Sequence, residues 1–247
     1  KDSKMNESNS NLKTVMDFDL TFTCQKAFGD VCSSNEGSEA GLFKIYEVIA
    51  QDFMFPDPNN VLIFLDNHDL GRFMQKGESD LRRYKQAIAF LLTTRGIPQI
   101  YYGTEILMSG TKAEGDGVIR SDFPGGWVGD PKDAFTPEGR TDLQNEAWNY
   151  MRKLLNWRQR CDAVKEAKLI HYTPDRSGCY FYARVKDNKT VLVLMNGTDQ
   201  TQTLDMNRFN EVVKDHKSGK DVITDTTVAI DTAVQIPARG VYVLEIV

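Results

Sequence analysis

The apolar run VLIFL, Val61 to Leu65, ends in four polar residues in a row: Asp66, Asn67, His68 and Asp69. Carboxylates beside an imidazole can hold or pass a proton, grip hydroxyl groups, or stabilise positive charge as it develops. If the run is a barrel strand, its C-terminal end is the face where catalytic and ligand-binding side chains gather. The competing reading is a strand-terminal turn, whose Asp and Asn residues simply cap the next element. Further along, Asp116 and Arg120 stand four apart and suit either ligand contacts or a surface ion pair. Metal chemistry finds less support, because Cys24, Cys32, Cys161 and Cys179 show no CxxC spacing and the chain has only three histidines. The cysteines read as buried thiols, with a Cys24–Cys32 disulfide conceivable in an oxidising compartment.

The elements that must position these groups follow the pattern of β/α units. LKTVMDF reads as a strand that runs into Asp17 and Asp19, then into the short periodic stretch LTFTCQKAF and the helical GLFKIYEVIAQDF. VLIFL is the second strand, entered through the turn PDPNN. It is followed by the helix DLRRYKQAIAFLLTTR, with Tyr84, Ile88, Leu91 and Leu92 on one apolar face and Ser79 or Asp80 as N-cap. IPQIYY, Ile97 to Tyr102, is the third strand. Neighbouring strand side chains face opposite ways, so Tyr101 and Tyr102 are not expected to enter the mouth together. A loop of unusual length follows, residues 103–139, and such a loop inside a compact domain points to function. A third helix over Asp142 to Arg160 carries Trp148 and Trp157, which read as packing residues.

From about Val164 the texture changes to short alternating segments: AKLIHYT, GCYFYARVK, KTVLVLMNG, TQTLDM, EVVKD, KDVITD, TVAID, AVQIP and GVYVLEIV. Turn pairs such as Asn196-Gly197 separate them, as in an antiparallel sandwich. The expected division is therefore 1–163 and 164–247. Three β/α units fall short of the eight strands that close a barrel of this kind. Either the chain is part of a longer barrel or another chain supplies the rest.

VLIFLDNHD, followed one helix later by GIPQIYYGTE, resembles the seventh and eighth barrel strands of the α-amylase family of glycoside hydrolases (family 13). LKTVMDFDLTF resembles the sixth strand more loosely, and the strand-rich end resembles the family's C-terminal antiparallel domain. The fold this implies is α/β plus all-β: the C-terminal portion of a (β/α)8 TIM barrel, strands six to eight, followed by a β-sandwich. The neopullulanase and maltogenic type is the nearest in kind. The resemblance implies a retaining hydrolase of α-1,4-linked glucans, namely starch and maltooligosaccharides, with pullulan or cyclodextrins as further candidates.

Retaining glycosidases use a carboxylate nucleophile and a second carboxylic acid about 5 Å away, through an oxocarbenium-like transition state. The family's nucleophile and acid/base lie at strand ends upstream of these residues, so the chain by itself is expected to be inactive and to need the missing N-terminal half of the barrel. Asp69 matches the family's third carboxylate, a transition-state stabiliser, and His68 the histidine that grips sugar hydroxyls beside it. Asn67 and Arg72 count as substrate-binding by the same resemblance. Asp116 and Arg120, ahead of Pro124 and Trp127, resemble the family's D-x-x-x-R segment, which contacts a glucose unit away from the cleavage point; Gly125 and Gly126 depart from its usual spacing. Trp127, Phe123 and Tyr102 could lie against the C–H faces of sugars. Asp17, Asp19 and Glu105 read as structural. Calcium is a possible ligand of the full enzyme, but no EF-hand spacing assigns a site here.

The formal charge is −5 with basic residues scattered among acids, which leaves no stripe for nucleic acid or an anionic membrane. No apolar run approaches the roughly 20 residues of a membrane span, and the sequence assigns no compartment, a periplasmic or extracellular bacterial one being a suspicion only. Two rivals remain: a glucan-binding module without catalysis, and a transglycosylase using the same residues.

Overall fold

The computed structural model describes residues 14–29, 40–175, 177–213 and 216–246. β1 (Leu62–Phe64) pairs in parallel with β2 (Ile97–Gln99), Leu62 opposite Ile97 and Phe64 opposite Gln99. On its other side β1 takes up the segment around Met16 in parallel: Asp17 N–H donates to Leu62 O, and Leu62 N–H to Val15 O, both at 2.9 Å. The helices of this part are α1 (Phe18–Ala27), α2 (Leu42–Ile49), α3 (Leu81–Thr93) and α4 (Asp142–Arg160). Three of them begin on a side-chain cap that satisfies an orphan backbone donor. Asp17 accepts from Leu20 N–H, Asp80 from Arg82 N–H, and Thr141 forms a capping box with Gln144.

The junction between α3 and β2 is held by charge. Arg95 is buried, with Nη2 2.8 Å from Asp17 Oδ2 and 2.7 Å from Asp52 Oδ1. Burial pushes the Asp52 carboxyl above its ordinary range in spite of the guanidinium against it. Asp17 thus caps α1 and anchors Arg95 at once, a positioning role. The chain then turns at Gly96, whose φ of +100° and whose approach to β1 exclude a side chain: a Cβ there would stand 2.7 Å from Val61 O.

Lys168–Tyr172 (β3), Cys179–Lys186 (β4), Lys189–Asn196 (β5), Gln202–Asp205 (β6), Ser218–Asp221 (β7), Thr227–Ala229 (β8), Ala233–Ile236 (β9) and Val241–Ile246 (β10) build the sandwich. One sheet has the antiparallel order β3-β4-β5-β10-β7-β8, and β6 pairs with β9 in the other. β4 and β5 are buried on both faces. Tyr180, Tyr182, Val191, Val193 and Met195 join the cluster built on α3 and α4, whereas Phe181, Ala183, Leu192 and Leu194 fill the space between the sheets. The chain from Leu20 to Val243 contributes to one continuous apolar cluster.

Three segments depart from the sequence expectation; the first is KDVITD, expected as a strand, whose strand ends at Asp221 and gives way to a turn in which Asp225 N–H donates to Asp221 O at 2.9 Å. EVVKD was expected as a strand, but Met206–Phe209 forms a 3-10 turn running into the helical turn Asn210–Val213. Met206, Phe209 and Val213 fall at helical spacing and bury together, and Asp205 caps the start by accepting from Asn207 N–H at 3.0 Å. The third strand ends at Gln99 instead of Tyr102, because Tyr101 and Tyr102 leave the sheet to flank the Arg72 guanidinium. Trp157 is buried in α4, as packing requires, and Trp148 lies under the Arg140 guanidinium. Cys24, Cys161 and Cys179 are buried, while Cys32, and so its pairing with Cys24, lies outside the described residues. Among the described residues no helix is long and apolar enough to cross a membrane.

Polar groups tie α3 to the sandwich. Gln86 Nε2 donates to Asn196 O at 2.8 Å and to Gly240 O at 3.1 Å. Arg184, fully buried on β4, donates to Ala167 O, Thr93 O and Asn59 Oδ1 at 2.8, 3.3 and 2.9 Å. Its guanidinium faces no carboxylate within ion-pair distance among the described residues, and burial pushes its pKa down to about 10. Arg184→Ala, which strips donors from three acceptors and leaves a cavity, should lower unfolding free energy by about 3 kcal/mol in urea titrations.

Candidate active site at the barrel mouth

The polar run after β1 folds into a tight loop held from below. Asp66 is 2% exposed. Its Oδ2 accepts Phe73 N–H at 2.9 Å and its Oδ1 accepts the Thr104 hydroxyl at 3.2 Å, so one carboxylate closes the loop and fastens it to the segment after β2. Burial pushes the Asp66 carboxyl above its ordinary range, opposed by the Phe73 N–H. Asn67 is also buried, and its Oδ1 accepts Asp69 N–H at 2.9 Å and Leu70 N–H at 3.0 Å. That turn pushes the two residues between them outward. His68 and Asp69 have side chains 60% and 62% exposed, with His68 Nε2 3.2 Å from Asp69 Oδ2.

Arg120 completes the surface group. Its Nη2 stands 3.1 Å from both Asp69 Oδ1 and Asp116 Oδ2, and its Nε donates to His68 O at 3.0 Å. Lys112 Nζ lies 2.5 Å from Asp116 Oδ1 and holds that carboxyl below its usual range. The result is a row of alternating charge, Lys112–Asp116–Arg120–Asp69–His68, open to solvent. Exposed pairs of this kind add little to stability, about 0–1 kcal/mol each. What the row offers is directed donors and acceptors at a mouth where a neutral polyhydroxylated ligand could exchange with water.

Arg72 sits beneath it at 6% exposure. Its Nε donates to Ile119 O at 2.9 Å and its Nη1 to Tyr102 O, and the guanidinium lies 4.0 Å from the Tyr101 ring centre and 4.8 Å from that of Tyr102. Both rings therefore serve the same cation, which strand alternation did not foresee. Tyr102 OH donates to Ser121 O at 2.8 Å. Glu105 is half-buried, one carboxyl oxygen lacks a partner among the described residues, and burial pushes its pKa up.

The aromatic part of the mouth stands on a closed frame. The buried Arg140 donates to Ala134 O at 2.8 Å and to Asn145 Oδ1 at 2.9 Å. Gly125 and Gly126 have positive φ, and a Cβ on Gly125 would stand 2.5 Å from Asp133 Oδ1. Phe123 packs on Phe135 with ring centres 4.5 Å apart. Trp127 is left 81% exposed, its N–H donating to Asp130 Oδ2 at 3.0 Å. Among the described residues no group of three or more His, Cys, Asp and Glu gathers where a metal ion could be held.

Sequence reasoning grouped Asp66 with its neighbours but gave it no role, and it missed Thr104 altogether. The available signal was the apolar surroundings: an acid that directly follows five apolar strand residues begins its loop inside the core.

Parallel strands β1 and β2 with their helices, carrying an exposed carboxylate beyond the strand end and joined to a β-sandwich, are the fold of the C-terminal part of TIM-barrel glycosidases. Residues 169–245 match the family model of the cyclo-malto-dextrinase C-terminal domain. A cyclomaltodextrin glucanotransferase from Thermoanaerobacterium thermosulfurigenes is 37% identical over 103 residues, 42% of this chain and 13% of that protein. The α-amylase from Geobacillus thermoleovorans, solved with acarbose, superposes at a TM-score of 0.75 and 21% identity, over 98% of this chain and 49% of that one. A maltogenic α-amylase from Thermotoga neapolitana gives a TM-score of 0.68 at 19% identity over the whole chain and 53% of its own. Over nearly its whole length the chain shares the fold of the C-terminal part of these α-amylases, and it spans about half the length of the solved structures it matches.

The Asp66 linkage has a definite sign. A folded pKa raised above the unfolded one means that the ionised carboxylate is penalised by folding; the penalty is absent below the ordinary carboxylate range and grows as pH rises through the raised value. Asp66→Asn keeps an acceptor for Phe73 N–H without the charge, and should cost less than about 1 kcal/mol at pH 7. Asp66→Ala leaves that buried N–H unpaired and should cost about 2 kcal/mol, both read from urea titrations at pH 7.

Proposed function

We propose that the chain supplies the sugar-gripping portion of a retaining glycoside hydrolase acting on α-1,4-linked glucans. The observation that carries this is the exposed Asp69 carboxylate at the C-terminal end of a parallel strand, flanked by His68 and Arg120. In this reading Asp69 and His68 hydrogen-bond the hydroxyls of the sugar being attacked. As that ring flattens and gains positive charge, the anionic contact strengthens, so it favours the transition state over bound substrate. Asp116 and Arg120 hold a neighbouring glucose unit, and Trp127 gives a face for C–H stacking. Asn67 and Arg72 support these groups from below. The nucleophile and acid/base belong to earlier strands of the barrel, which this chain does not contain, so the chain alone does not cleave glucan. The division into a barrel portion, 1–163, and a sandwich, 164–247, is part of the same reading.

Acarbose bound in the Geobacillus enzyme supports an α-glucan ligand. A glucanotransferase among the relatives supports a second reading, transfer of the glycosyl group to a sugar acceptor instead of water. The same residues serve both, since the two differ in what attacks after the covalent intermediate has formed. Preference for starch, pullulan or cyclodextrins, as in neopullulanases, belongs to this finer level.

The test is cleavage of maltooligosaccharides by the full-length product of the gene, with reducing ends and transfer products measured together. Asp69→Asn should lower kcat by about 10²–10³-fold with KM little changed, because the contact it weakens is made chiefly in the transition state. Binding of maltooligosaccharide with no cleavage by the unsubstituted protein would instead establish a binding module. Trp127→Ala should raise KM about fivefold and leave kcat near its original value, as loss of about 1 kcal/mol of stacking felt equally in ground and transition states.

A further inference from the structure

The row of charges at the mouth is only as well placed as the segment that carries Asp116 and Arg120. That segment is a helix of one turn, Asp116–Ile119, too short to hold its own shape. What fixes it is Arg72. The guanidinium Nε donates to the carbonyl of Ile119, the last residue of the turn and the one before Arg120, and Nη1 donates to the Tyr102 carbonyl. Tyr102 holds the chain just past Arg120, its hydroxyl donating to Ser121 O. Residues 119–121 are therefore gripped on both sides of Arg120, and the grip is tied to the Asp69 loop because Arg72 lies three residues beyond Asp69.

Arg72 is itself held firmly. Its backbone N–H donates to Gly110 O at 2.8 Å, the next residue is fastened by Asp66, and the guanidinium plane lies against Tyr101 and Tyr102. At 6% exposure it lies under the surface, with Nη2 buried and without a hydrogen-bond partner among the described residues. A planar fork with donors in fixed directions makes these contacts together, whereas the point charge of lysine on a flexible stem does not.

We propose that Arg72 is a positioning residue of this site: it sets the distance from Arg120 and Asp116 to Asp69, and through Arg120 the field that Asp69 feels. The proposal rests on the glycosidase reading for its catalytic consequence, but not for its geometry. It distinguishes Arg72 from a side chain that touches sugar, since a strut acts only through what it positions.

A double-mutant cycle in the full-length gene product separates these roles. Arg72→Lys should lower kcat/KM on maltooligosaccharides about tenfold. In an Arg120→Ala background, where the positioned group is gone, the same substitution should cost less than twofold. Equal losses in the two backgrounds would overturn the proposal in favour of direct substrate contact. A second readout needs no activity: hydrogen exchange of the amides of residues 118–121 should quicken in Arg72→Lys while β4 and β5 keep their protection. Exchange that rises throughout the chain, or not at all, would also overturn it. If the unsubstituted protein cleaves no glucan, the functional reading falls, and the exchange measurement still decides the role of Arg72.

Discussion

Helix α3 has almost no face to give to water, and the arrangement of the chain follows from that constraint. Its residues from Tyr84 to Thr93 are buried except at Lys85, with the parallel strands on one side and β4, β5 and β10 on the other. A helix apolar all round must be covered all round. Neither the parallel strands nor the sandwich alone could cover it, so the two parts share one core. The polar residues on the helix obey the same constraint. Gln86 and Thr93 would be costly between two apolar layers, and both are paired across the junction, Gln86 with backbone carbonyls and Thr93 with the Tyr182 hydroxyl. Arg95 and Gly96, just past its end, then deliver the chain into β2 at the height where strand-end residues reach the mouth.

The mouth shows a division of labour between buried and exposed polar groups. Asn67 and Arg72 bond to backbone atoms, and Asp66 to the Phe73 N–H and the Thr104 hydroxyl, fixing a loop that has no regular structure of its own. His68, Asp69, Asp116 and Arg120 bond mostly to one another in the open. Buried acceptors are costly to disturb because nothing replaces a lost partner, whereas exposed pairs yield readily to water or to hydroxyl groups. A rigid base beneath an exchangeable surface is a sound arrangement for recognising a ligand that is itself all hydroxyl groups.

Much of this was legible in the sequence, for identifiable reasons. Helical periodicity and a cap at Ser79 or Asp80 located α3, where Asp80 is the one that caps, and the turn signals located most strands of the sandwich. The two motif segments carried the resemblance to the family whose fold the chain shares and singled out the loop carrying His68 and Asp69. Local patterns failed where distant contacts decided the outcome. Tyr101 and Tyr102 look like strand residues until Arg72, brought in from thirty positions earlier, is placed against both rings. EVVKD looks like a strand because Val212 and Val213 favour one, yet Phe209 and Val213 bury at helical spacing against the sandwich core. Four neighbouring polar residues, Asp66 to Asp69, give no hint in their order that the first two face the core and the last two the solvent; only the hydrogen bonds to Phe73 and Leu70 sort them.

The frame under Trp127 bears on how such a surface can change over time. Its glycines and the bonds from Arg140 to the Ala134 carbonyl and Asn145 settle the course of the backbone without any help from the indole. The crown residue can thus be exchanged by mutation while its pedestal keeps its shape. A position of this kind lets a lineage, or an engineer, sample new ligand preferences at little risk to folding, and it separates the part of the mouth that can vary from the part that cannot.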